Sequence, residues 1–95
     1  MQMRLKMTKD IVLQLIYEDK LSKRWQLCNN IKEMEITSSG SNLRVNKIKE
    51  LKVLLDKVEN QLNVIEEISD EFVSIPDWYK EVLKKYNLTD KRLDR

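Results

Sequence analysis

Between Ile48 and Phe72 an apolar residue recurs at every third or fourth position: Ile48, Leu51, Leu55, Val58, Leu62, Ile65 and Phe72. Only Ser69 breaks the series, no Gly or Pro interrupts it, and Glu, Lys, Asn and Gln fill most of the intervening positions. On a backbone of 3.6 residues per turn that spacing gathers the apolar side chains into one stripe, which another helix must cover. Leu54 and Ile68 widen the stripe beyond a single seam. The sequence therefore predicts a packing or partner seam made of Ile48, Leu51, Leu54, Leu55, Val58, Leu62, Ile65 and Ile68.

The rest of the chain supplies candidates to cover it. Thr8 suits the cap of a first helix over about 8–35, with Ile11, Val12, Leu15, Ile16, Leu21, Trp25, Cys28, Ile31 and Met34 as its apolar positions. The apolar face shifts at Glu18-Asp19-Lys20, which admits a kink or break. Gly40, the only glycine, lies in the polar run Thr37-Ser38-Ser39-Gly40-Ser41-Asn42, a turn signal. The second helix is expected over about 44–73. Pro76, with Ser74 as a cap, opens a third over about 76–86, where Trp78, Tyr79, Val82, Leu83 and Tyr86 share one face and Asn87 closes it. Residues 1–7 and 88–95 read as flexible tails of a single helical domain spanning 1–95. Met34-Glu35-Ile36 and Leu43-Arg44-Val45 alternate apolar and polar residues around the turn, so a small β-ribbon over 34–45 is the alternative there.

Charge favours an antiparallel hairpin. Arg44, Lys47, Lys49 and Lys52 crowd the positive N-terminal end of the second helix, while Glu66, Glu67, Asp70 and Glu71 crowd its negative C-terminal end. Each arrangement opposes the helix dipole. Folding back at Gly40 compensates it: Glu33 and Glu35 approach Arg44, Lys47 and Lys49; Lys23 and Arg24 approach Asp56 and Glu59; Lys9 approaches Asp70 and Glu71. Residues 11–17 are apolar nearly all round and are expected to be covered from two sides, by the second helix and by the third. The turn end, with only two layers, calls for completion by dimerisation or by a larger partner covering this surface.

Composition narrows the function. Histidine is absent and Cys28 is the single cysteine, so the commonest acid–base catalyst, a zinc site and an internal disulfide are not expected. No catalytic motif, cofactor fingerprint or metal-ligand spacing appears. The longest apolar run, Ile11–Tyr17, falls far short of the ~20 residues that cross a bilayer. Met1–Met7 lacks the pattern of a secretion signal, and a cytoplasmic location without membrane attachment is expected. Frequent Lys, Asn and Ile fit an AT-rich coding genome, such as that of a low-GC bacterium or its phage. Net charge is +2 but segregated: residues 58–77 hold six acids and no base, whereas 78–95 hold six bases and three acids.

The leading expectation is a non-enzymatic protein–protein interaction module, an adaptor, inhibitor or accessory factor, working as a homodimer without a cofactor. The alternative is a nucleic-acid-binding regulator in which Lys80, Lys84, Lys85, Lys91 and Arg92 of the aromatic, basic C-terminal segment contact phosphates.

Overall fold

A computed structural model describes residues 2–37, 42–69 and 73–94, with side chains described over 11–36, 45–69 and 73–93. It is all-α: α1 spans Gln2–Thr37, α2 Asn42–Ile68 and α3 Asp77–Lys85, and a single 3-10 turn follows at Lys91–Asp94. No strand occurs among the described residues. The flanks proposed for a β-ribbon over 34–45 are helical instead, because both continue the 3.6-residue pattern of their helices. The turn around Gly40 lies outside the described residues, as do Phe72 and the expected pairing of Lys9 with Asp70 and Glu71.

α1 and α2 form the antiparallel hairpin. Tyr17 bonds to Glu66, Arg24 to Glu59, and Glu35 meets Lys52 at 3.6 Å, so residue numbers rise on one helix as they fall on the other. Arg24 and Glu59 are the partners that the charge pattern implied. Glu35 finds Lys52 rather than Lys47 or Lys49, and Lys47 instead lies 3.8 Å from Glu50 on its own helix. The molecule is a rod with extents of 59 × 23 × 19 Å, as expected from the roughly 54 Å length of a 36-residue helix.

Several boundaries differ from the sequence expectation. α1 begins at Gln2, so Thr8 lies within the helix and does not cap it, and residues 2–7 belong to α1 rather than to a tail. It runs unbroken through Glu18-Asp19-Lys20, supported by Gln14–Glu18 and Lys23–Asp19 contacts one helical turn apart, at 3.0 and 3.2 Å. α2 ends at Ile68, five residues early. Ser69, the residue that breaks the apolar series, turns its hydroxyl onto the Ile65 carbonyl at 2.5 Å and is almost fully buried. A serine bonded back in this way competes with continuation of the helix.

At α3 the cap is Pro76 itself, in extended geometry and without a side-chain hydrogen bond, so Ser74 does not cap it. Ser74 instead exchanges two 3.0 Å hydrogen bonds with the Gln14 amide. Asp77 in the first turn and Lys84 and Lys85 in the last match the dipole. The helix closes as expected at Asn87, whose φ of 55° lies in the left-handed region. Leu88 N–H donates to Leu83 O at 2.8 Å and Asn87 N–H to Lys84 O at 3.3 Å, the paired bonds of a Schellman turn. Replacing Asn87 with Ala should therefore cost about 1 kcal/mol, whereas Gly should be neutral or slightly stabilising, as measured by thermal unfolding.

The core comprises Tyr17, Leu21, Val58, Leu62, Ile65, Tyr79 and Leu83, with Trp25, Leu27, Val73, Ile75 and Leu88 packed around it. α3 runs alongside α1 in the same direction. Trp78 Nε1 donates to Glu18 Oε1 at 2.9 Å, and Tyr86 stacks on Trp25 with ring centroids 5.1 Å apart. At its far end the Lys32 ammonium donates to Tyr86 O and Asn87 O, at 2.9 and 3.2 Å. The third layer thus covers α1 from Tyr17 onward and leaves most of residues 11–16 uncovered. Ile11, Val12, Leu15 and Ile16 stay exposed, because these polar anchors fix α3 from Glu18 onward.

Candidate functional site

The chain does not trail away after Asn87. It reverses at the left-handed residue and returns along the groove between α1 and α2, placing Asp90 (4% exposed) and Arg92 (6% exposed) inside the protein. Residues 88–94 are therefore a structural element, contrary to the expectation of a flexible tail. Leu88 packs on the core and Arg92 N–H donates to Asp90 Oδ1 at 3.0 Å. These contacts anchor a short polar stretch that has no periodicity of its own.

The buried charges assemble around two guanidinium groups. Arg24 bonds through Nε to Glu59, through Nη1 to the Tyr79 hydroxyl at 2.9 Å and through Nη2 to Thr89 O at 3.2 Å. Arg92 reaches Asp90 Oδ1 at 3.2 Å, Glu59 Oε2 at 3.3 Å and Asn63 Oδ1 at 3.1 Å. Its Nε lies 3.2 Å from Glu66 Oε2 without the alignment of a hydrogen bond, so that contact is purely ionic. Tyr17 donates to the same Glu66 oxygen at 2.8 Å, and Tyr79 donates to Asp90 Oδ2 at 2.6 Å. α1, α2, α3 and the returning segment all meet here. Planar five-donor groups suit such a junction, since one Arg serves several acceptors at fixed angles.

Burial alone would raise the pKa of Asp90. The hydrogen bonds from Tyr79 and the Arg92 amide, with the two guanidinium charges, outweigh it and hold the carboxyl below the ordinary aspartate value. Burial pushes Tyr79 and Tyr17 well above the usual phenol range, reinforced by the bonds each donates to a carboxylate. The sign of the resulting pH dependence follows. A depressed carboxyl contributes stability that is present above its unfolded pKa of about 3.9 and is lost as pH falls through the lower folded value. Acid unfolding followed by circular dichroism should therefore steepen below about pH 4, and Asp90→Asn should flatten that part of the profile.

The predicted seam residues divide. Leu51, Val58, Leu62 and Ile65 are buried, and Ile48 and Leu55 are half-buried between the helices. Leu54 (47% exposed) and Ile68 (70% exposed) point elsewhere. Of the residues proposed for nucleic acid, Lys80, Lys84, Lys85 and Lys91 are exposed, with Lys85 Nζ 5.6 Å from the Tyr86 ring centroid. Arg92 is consumed by Glu59, Glu66 and Asp90 and is not available to phosphates. Arg24, Asp90 and the two tyrosine hydroxyls were not singled out from the sequence as a cluster. The one legible signal was the Arg24–Glu59 register.

Beyond the Lys32–Asn87 contact the hairpin groove is uncovered. There an open cleft of about 740 Å³ runs between the helices, lined by Cys28, Ile31, Lys32, Glu35, Ile36, Lys52, Leu55 and Asp56. Burial raises the Cys28 thiol pKa, and the nearby Arg24 charge only partly offsets this. Among the described residues no group of His, Cys, Asp or Glu side chains could hold a metal ion, and no helix is long and apolar enough to cross a membrane.

Fold and site together define an all-α helical-hairpin protein, braced by a third helix and a buried ionic junction. No protein-family profile, curated protein or solved structure matches the chain.

Proposed function

We propose that this chain is a non-enzymatic helical module that acts by binding other protein, as an adaptor, inhibitor or accessory factor, and that it works as a homodimer. The observation that carries this reading is the set of large apolar side chains left exposed on a well-ionised hairpin. Ile36, Leu54, Val64 and Ile68 are exposed on its flanks, and the turn-end cleft is lined by half-buried Cys28 and Leu55 and by buried Ile31. Exposed apolar surface of this kind marks interaction sites on soluble proteins. The buried polar cluster supports a binding role over catalysis, because its groups are committed to one another. A cytoplasmic location and a bacterial or phage source belong to the same reading.

A tagged pull-down from host lysate, with and without nuclease, tests it. The reading expects a stoichiometric protein partner that survives nuclease and is lost when Ile36→Glu and Leu55→Glu are introduced together, with helicity retained. Capture that vanishes with nuclease and depends on Lys80, Lys84, Lys85 and Lys91 would overturn it in favour of a nucleic-acid regulator.

A further inference from the structure

α2 carries a second stripe. Glu50, Leu54, Lys57, Gln61, Val64 and Ile68 recur at spacings of four and three and share the side of the helix turned away from Arg92 and α3. Leu54, Val64 (52% exposed) and Ile68 are the apolar members. At its centre lies a shallow depression of about 340 Å³, bounded by Lys20 of α1 and by Asn60, Gln61, Val64 and Ile65.

We propose that a second copy of this chain covers the stripe, its α2 antiparallel to the first across a two-fold axis near Gln61. A two-fold interface requires one surface to be complementary to itself, and this stripe is. An axis near Gln61 sets Leu54 against the partner's Ile68 at both ends and brings the two Gln61 side chains together. It also carries Lys57, exposed on the stripe, to within reach of the partner's Glu67, exposed at its margin. A parallel pairing would instead set Lys57 against Lys57 and Glu67 against Glu67, and like charges across an interface oppose association. Glu59 and Glu66 take no part, being held on the other side of α2 by Arg24 and Arg92. Two hairpins joined in this way form a four-helix layer, with each α3 on an outer face and each turn-end cleft still open.

This inference deepens the protein-binding reading and rests on it for the idea that exposed helix faces are there to be covered. Light scattering on the full chain should return twice 11.4 kDa at about a hundred micromolar. Leu54→Lys combined with Val64→Lys should weaken self-association by at least about a hundredfold while far-ultraviolet circular dichroism is unchanged. Orientation is read in a Cys28→Ser background. Gln61→Cys should form an interchain disulfide on mild oxidation, whereas Leu54→Cys should not do so alone but should when mixed with Ile68→Cys. A monomer at that concentration, a dimer indifferent to the lysine pair, or ready self-crosslinking at Leu54→Cys would overturn the proposal. A monomer that still captures a nuclease-resistant partner removes the dimer alone, and a dimer that captures nothing removes only the adaptor reading.

Discussion

Replacing Arg24 with alanine should destabilise the protein by about 3–5 kcal/mol, the cost of stranding buried charges whose partner has been removed. One side chain reaches Glu59 on α2, Tyr79 on α3 and Thr89 on the returning segment, so the substitution unfastens three elements from α1 together. For a domain of this size the fall in Tm should be roughly 15–25 °C in thermal unfolding. Arg24→Lys should recover only part of the loss, because an ammonium is a point donor and cannot hold three acceptors in a fixed fork. If Arg24→Ala melted within a few degrees of the parent, the junction would be ornamental. A double-mutant cycle with Asp90→Asn should show strong coupling, since the two groups lie 3.5 Å apart.

The second large effect lies in the apolar core. Leu62 is fully buried in the cluster formed by Tyr17, Leu21, Ile65 and Tyr79, so Leu62→Ala should cost about 2–5 kcal/mol through lost transfer energy and an unfilled cavity. Leu54 sits eight residues earlier on the same helix and is half exposed. There the same substitution should change monomer stability by less than about 0.5 kcal/mol, and any further loss should grow with protein concentration. Denaturant titrations of both variants at two concentrations separate these outcomes.

Much of the hairpin was readable from periodicity and charge. The stripe from Leu51 to Ile65 is the buried seam, and pairing Arg24 with Glu59 required only that opposite charges meet in an antiparallel register. Asn87 was legible for a local reason, since few residues tolerate the left-handed turn that ends a helix. Other features depend on information that no short window contains. An amphipathic α3 has the same apolar face whether it covers residues 11–17 or residues 17–32; Glu18, Trp25 and Lys32 decide it. Leu54 and Leu62 look alike in sequence, and their faces on α2 separate them. Ser69 looked like a lapse in the repeat and is a buried stop. Arg92 looked like a surface base, because nothing in Asp90-Lys91-Arg92 signals that two acidic side chains of α2 wait for it.

The order in which the ionic junction closes follows from where its parts sit along the chain. Arg24 and Glu59 meet across the hairpin, whereas Asp90 and Arg92 leave the ribosome well after both. A growing chain can zip its first two helices early, from contacts whose loop closure is modest, and gains its final fastening only once residues 89–92 have emerged. Until then Leu62 and Leu21 lie under an incomplete roof, and that interval is when a nascent copy is most open to chaperones, to proteases and to its neighbours.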